Sequence, residues 1–314
     1  MTDRIVDISR AAARLSVRHK QLIIDQSPQG EVTMPLADLA VVVVSHPQVT
    51  YTQAVLACLA ESGGAFVACN RQYLPVGLFL PLVAHFAQAE RFSAQARAAQ
   101  PLCKRLWKQI VREKIRSQAQ TLQILYGSDF GLLTLVSQVR SGDTSNVEAR
   151  AACRYWPQLF LDVEFRRNPD NQDQNLLLNY GYAVLRAIVA RAICGAGLHP
   201  SLGIHHHNRY NAYCLADDLM EPFRPIVDLA VVEYMREHDE PYGVESAAKQ
   251  HLIARLTGRY MVGGAQRTLF DTVTRLAASL ADAFLSGAGE LTLPRWEVGA
   301  REVPGESENE GEED

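Results

Sequence analysis

The stretch GIHHHNRYNAYCLADDLMEPF, residues 203–223, holds three consecutive histidines, His205, His206 and His207, followed by an acidic cluster of Asp217, Asp218 and Glu221. Imidazole nitrogens and carboxylate oxygens are common ligands of divalent metals, and a metal held by them acts on substrate oxygens. A helix starting near Asp218 places Asp217, Asp218 and Glu221 on one side, at i, i+4 and i, i+3 spacing. Pro222 then falls in the first turn, where a missing N–H costs little. The same residues also describe a plain helix start, with Asp218 as N-cap. Consecutive residues of an extended segment alternate direction, so at most one or two of the histidines face a single centre.

A third candidate lies upstream in SGDTSNVEARAACRYWPQLF, residues 141–160. Ser145 and Glu148 have the spacing of a capping box. Glu148 in a first helical turn also stays ionised, because the helix dipole favours an anion there, and a metal ligand must be ionised. Ala149, Ala151 and Ala152 behind it permit close packing. On the helix from Leu102, Lys104, Lys108, Arg112 and Arg116 form one i, i+4 row, with Arg105 and Lys114 beside it. Leu102, Leu106, Trp107 and Ile110 form the opposing apolar face, and only Glu113 interrupts the positive run. A solvated helix face ordinarily mixes signs, so an unmixed row suggests a polyanion such as DNA.

These residues must be positioned by two kinds of element. Over residues 1–82 the segments RIVDIS, ARLSVRHKQLIID, EVTMPL, ADLAVVVVS, AFVACN and PVGLFLPL favour strands, with SPQG as a turn. One helix, about Thr52 to Ser62, interrupts them and stops at Gly63-Gly64. From about His85 onward the apolar spacing is helical throughout. The expected fold class is α+β: a small N-terminal β-rich domain (1–82), a larger all-helical domain (83–300) and a disordered acidic tail (301–314).

Composition narrows the rest. The chain has 314 residues, 47% of them hydrophobic, and a net charge of −4. Residues 302–314 carry seven acidic groups and no basic one, so the remainder has 28 acidic against 31 basic residues and is mildly positive. No apolar run reaches the roughly 18 to 20 residues of a membrane span. MTDRIVDISR has no secretory h-region. Cys58, Cys69, Cys103, Cys153, Cys194 and Cys214 are scattered, which argues for reduced thiols, no structural zinc site and a cytoplasmic location.

Taken in order, GDTSNVEARAACRYWPQLF, NLLLNYGYAVLRAIVARAICGAGLHPSLGIHH and LADDLMEPFRPIVD closely resemble the CRISPR-associated integrase family, the first of the two universal spacer-acquisition proteins. The resemblance covers about residues 1–290, and LADDLMEPFRP is most similar to the branch accompanying a type II effector. It implies metal ligands and catalytic groups at Glu148, His206 and Glu221. The family's histidine falls two residues past the position of Ile204, which selects His206 over His205. Many members have aspartate where Glu221 stands; the longer side chain keeps the ligand type. Asp218 is implied as an auxiliary acidic residue.

Two carboxylates and an imidazole form an oxygen-rich set suited to Mg²⁺ or Mn²⁺. The implied reaction is attack by the 3′-OH of a short DNA fragment on a phosphodiester at the edge of a CRISPR repeat, a metal-dependent endonuclease or transesterase chemistry of hydrolase type. The implied partners are double-stranded DNA (prespacer and repeat), a second copy of the chain through the β-rich domain, the second adaptation protein in a heterohexamer, and type II effector components, with no membrane. Two carboxylates left without metal should repel, so losing one is expected to hold or raise the melting temperature. The alternatives are an inactive DNA-binding scaffold and a zinc hydrolase built on the histidine triplet.

Overall fold

A computed structural model describes residues 4–71, 75–238 and 243–296. The acidic tail lies outside the described residues. The N-terminal region is strand-rich: β1 (Arg4–Ile8), β2 (Arg14–Arg18), β3 (Gln21–Asp25), β4 (Glu31–Pro35), β5 (Leu39–Val44), β6 (Thr50–Tyr51), α1 (Gln53–Glu61), β7 (Ala65–Cys69) and β8 (Pro75–Phe79). ARLSVRHKQLIID forms two strands, because His19 and Lys20 adopt φ of 52° and 61° and close a two-residue hairpin. Such left-handed turns match the twist of the flanking strands.

One sheet has the order β1-β5-β7-β8 and the other β4-β3-β2-β6. β5 lies parallel to both neighbours, pairing Val42 with Val6 and Phe66. Its unbroken LAVVVV reflects burial on both faces. Val41 and Val43 enter the core of the helical body, whereas Leu39 and Val42 join Leu15, Leu22, Val55 and Leu59 in a smaller core.

The helical region follows with α2 (Gln88–Ala96), α3 (Gln100–Tyr126), α4 (Leu133–Val136), α5 (Val147–Phe160), α6 (Asn175–Gly195), α7 (Cys214–Met220), α8 (Arg224–Glu237), α9 (Ser246–Thr257) and α10 (Leu269–Ser286). Among the described residues it has one exception to its helical pattern. β9 (Arg259–Val262) and β10 (Ala265–Thr268) form a hairpin turned by Gly263 and Gly264, both at positive φ. The α+β class thus holds, with a strand pair inside a region read as wholly helical.

α6 is long and apolar enough to cross a membrane, but 72% of its apolar window is packed inside the protein. It is the core helix, and it meets α8 closely. A Cβ at Gly181 would lie 2.4 Å from Val227 Cγ1, so only glycine allows that approach. α3 runs beside this core and buries Leu102, Leu106, Trp107 and Ile110. Each such side chain contributes on the order of 1.5–3 kcal/mol by leaving water. All six cysteines are free thiols, and Cys153 alone is exposed.

Candidate active site

Glu148 stands in the first turn of α5, but the cap is not Ser145. Asp143 is buried and its carboxylate accepts the N–H of Val147 at 3.0 Å and of Glu148 at 2.9 Å. This satisfies two of the four orphan donors of the helix start. The capping box is therefore absent, and the Glu148 side chain is available for other partners.

The acidic cluster is not a helix start either. α7 runs through Asp217 and Asp218, then a 3-10 turn at Glu221–Phe223 leads into α8. Pro222 and Pro225 occupy the starts of those last two elements, where their missing N–H groups are harmless. Asp217 accepts from Arg186 and Asn211, each at 2.7 Å. Asp218 is fully buried and accepts the backbone N–H of Ile204 (2.7 Å), His205 (2.9 Å) and His206 (3.3 Å). It also lies 2.5 Å from His206 Nδ1. Asp218 thus ties down the histidine loop and orients one ring.

The loop closes this tightly because of Gly203. A Cβ there would sit 2.3 Å from His206 O and 2.9 Å from Asp218 Oδ2. A neutral His206 with its proton on Nδ1 presents Nε2 as a ligand atom. The bond to Asp218 raises its pKa above the ordinary value, against the effect of partial burial.

The histidines do not alternate. Residues 203–207 are a bent loop, and His205 and His206 both lie on Trp107. His205 stacks on the indole at 4.2 Å, and His206 meets its edge at 5.6 Å. Burial lowers the pKa of His205. The two rings thus have different partners, His205 the indole of Trp107 and His206 the carboxylate of Asp218.

α3 supplies the remaining member, which the sequence reading had placed on the basic surface. Lys114 lies seven residues from Trp107, two turns along the same helix face. Its Nζ is 2.6 Å from Glu148 Oε1 and 2.6 Å from Glu221 Oε2. Arg224 Nε lies 2.9 Å from the other oxygen, Glu221 Oε1. Burial alone would raise the Glu221 carboxyl, but Arg224 and Lys114 hold it below the usual carboxylate range. Burial would lower Lys114, yet Glu221 and Glu148 hold it above its ordinary value. The expected repulsion between two bare carboxylates is therefore absent, and removing one would strand buried cations instead.

Glu148 and Glu221, 73 residues apart in sequence, meet at one ammonium. Among the described residues, no three His, Cys, Asp or Glu side chains stand together as a ready metal site. The donor chemistry nevertheless fits a divalent cation. Two carboxylate oxygens already share a positive charge, and buried Glu221 Oε2 has no aligned hydrogen bond, only ionic contact. A lysine on the apolar stripe of α3, between Ile110 and Ser117, was the signal available in the sequence. Arg224, Asp143 and Gly203 carried none.

The basic row lies elsewhere on α3. Lys104 and Arg116 are exposed, while Lys108 and Arg112 are half-buried. Arg116 pairs with buried Glu113 at 3.0 Å. Among the described residues, no ion pair is made by Lys104, Lys108 or Arg112.

The model of the family CRISPR associated protein Cas1 matches residues 6–241. The chain belongs to the Cas1 family. It is 38% identical over 289 residues to the CRISPR-associated endonuclease Cas1 of Neisseria meningitidis serogroup C (strain 8013), covering 90% of this chain and 92% of that one. Its fold is similar to that of a casposase bound to integration product, with a TM-score of 0.79, 19% identity and coverage of 95% and 96% of the two chains. It is also similar to a chain of a Cas6-RT-Cas1–Cas2 complex, at a TM-score of 0.73 and 18% identity, covering 94% of this chain and 36% of that one. The family is one of CRISPR-associated endonucleases by the name of that relative, and the structural likenesses carry the fold.

Proposed function

We propose that the chain is a CRISPR spacer-acquisition integrase: a metal-dependent DNA endonuclease and transesterase that inserts short fragments at the leader end of a CRISPR array. The observation that carries this reading is the meeting of Glu148 and Glu221 at a single cation, beside His206. Glu148, His206 and Glu221 are the residues that would hold Mg²⁺ or Mn²⁺. When bound, such an ion polarises a phosphodiester and stabilises the charge that develops in transfer.

The chain's own groups prepare this. Asp143 fixes the first turn of α5, and so the height of Glu148. Arg224, stacked over Tyr182 at 4.7 Å, keeps Glu221 ionised. Asp218 directs Nε2 of His206 by holding Nδ1. His206 is 46% exposed, so a phosphodiester can approach from its side.

The partners in this reading are double-stranded DNA as prespacer and repeat, a second copy of the chain through the β-rich region, and the second adaptation protein Cas2. Type II effector components are further partners, and the cytoplasm is the location. The casposase with its integration product and the Cas2-containing complex support the DNA and Cas2 assignments by analogy of fold. The test is an integration assay with a fluorescent 3′-OH fragment and a supercoiled CRISPR plasmid in Mg²⁺ or Mn²⁺. Labelled, relaxed plasmid is the expected result. Failure with both metals and with Cas2 present would overturn the reading.

A further inference from the structure

The Lys114 ammonium sits between the two carboxylates proposed to hold the metal. Its contacts are 2.6 Å to each, and its side chain is only 14% exposed. Arg224 faces the opposite oxygen of Glu221. Two cations thus balance Glu148 and Glu221 before any divalent ion arrives. Adding two further positive charges with both partners in place would set like charges together in a poorly hydrated site, where repulsion is strong. One of the two cations has to give up its place.

The geometry selects Lys114. Arg224 is pinned by its stack on Tyr182 and by its place at the start of α8. Lys114 is a compact charge on a flexible four-carbon stem projecting from the middle of α3, with a freer set of positions. Once displaced, a desolvated ammonium needs another anion. The anion that enters this site in the proposed reaction is a DNA phosphate, and the exposed side of His206 gives it access.

We propose that Lys114 is a placeholder cation, a positioning residue that couples metal loading of the Glu148–Glu221 pair to the arrival of a phosphodiester. Without DNA, Lys114 holds the two carboxylates together and opposes loading. With DNA, its ammonium transfers to the phosphate and the seat opens. The inference rests on the metal-dependent reading above and adds to it an order of events.

The test is Mn²⁺ binding, followed by the electron paramagnetic resonance of free Mn²⁺, on the full chain with and without a duplex ending in unreactive 3′-deoxy termini. For the unaltered protein, duplex should tighten Mn²⁺ binding about tenfold or more, a usual size for coupling between two sites. Lys114→Met should bind Mn²⁺ about tenfold more tightly without DNA and lose most of that coupling. Lys114→Gln, which removes the charge but keeps a polar side chain, should behave as Lys114→Met does and provides a second, more polar variant. Equal Mn²⁺ affinity of the unaltered protein and both variants without DNA would overturn the proposal. So would an absence of coupling in the unaltered protein, a measurement that needs no variant. Glu148→Gln separates the two levels of the argument: if it leaves Mn²⁺ binding unchanged, the carboxylate pair is not the metal seat, and the underlying reading fails rather than the role of Lys114.

Discussion

Glu221 and Asp228 lie seven residues apart on one stretch of chain, and both are buried, at 5% and 1% exposure. Their surroundings give them opposite characters. Glu221 faces Arg224 and Lys114, which keep it ionised in spite of burial. Asp228 accepts hydrogen bonds from Tyr155 at 2.9 Å and from Tyr182, and burial pushes it up to about 6. The tyrosines are neutral donors, themselves held well above their ordinary pKa by burial. A buried carboxylate neutralised by mobile charge can exchange one cation for another. A buried carboxylate satisfied by neutral hydroxyls joins helices. In this protein the first kind marks the proposed site and the second ties α5 and α6 to α8.

The largest contrast should appear in activity. Glu221→Ala and His206→Ala should each lower the integration rate on the order of a hundredfold or more, because residues that share the proposed metal would act as a unit. Asp228→Asn should integrate at near the unaltered rate. Glu221→Ala should also lower the melting temperature of metal-stripped protein, since it leaves Arg224 and Lys114 buried without their shared anion. Unchanged or raised melting would return the site to a picture of repelling carboxylates.

A second contrast is in pH. Asp228 has a folded pKa of about 6 against an ordinary value of 3.8, so the folded protein holds the proton more tightly than the unfolded chain. Its stabilising contribution is complete below that ordinary value and is lost as pH rises through about 6, a loss of roughly 3 kcal/mol. Glu221 has the opposite sign: its lowered pKa contributes at neutral pH and is lost only in acid. Urea unfolding of Asp228→Asn and the unaltered protein between pH 4 and 8 should give profiles that diverge by that amount. Parallel profiles would place Asp228 in the ionised class with Glu221.

Asp218 belongs to neither kind, because backbone N–H groups surround it. Asp218→Asn should cost about 1–3 kcal/mol of stability by leaving donors unpaired. Gly203→Ala should disturb the same loop. If Asp218→Asn melts as the unaltered protein does, Asp218 is not the anchor of the histidines. The smallest effect concerns the basic row. Lys108 and Arg112 changed together to alanine should weaken binding to all DNA sequences alike and reduce the salt slope by about one unit per lost contact. An unchanged slope in a salt titration would make the row an ordinary surface.

Much of this could be read from the chain. β-branched runs located the strands around β5, and VEARAACRYWPQLF matches α5 residue for residue. Short elements were lost: β9 and β10 have four residues each, too few to establish an alternation. α9 carries Lys249 on its buried side, where it bonds Ser45 at 2.9 Å. At the site, spacing offered the histidines and carboxylates as candidates, and the resemblance singled out Glu148, His206 and Glu221. Spacing also pointed to Ser145 as a cap, a role that Asp143 takes by bending the chain at positive φ. Lys114 was hidden for a different reason. Arg112 and Arg116 stand two residues to either side of it and drew it into the basic run, although its i−4 neighbour is Ile110, and the packing of α3 against α5 and the α7–α8 turn turns it inward.

The central claim is that Glu148 and Glu221 form one cation seat for the transfer of DNA. The most direct measurement is the single-turnover integration rate of Glu148→Gln, Glu221→Gln and the double variant, at saturating Mn²⁺. If the two carboxylates act as a unit, either single change removes nearly all activity and the double variant is no slower than the slower single one. A double variant whose loss equals the product of the two single losses would show independent roles and contradict the account.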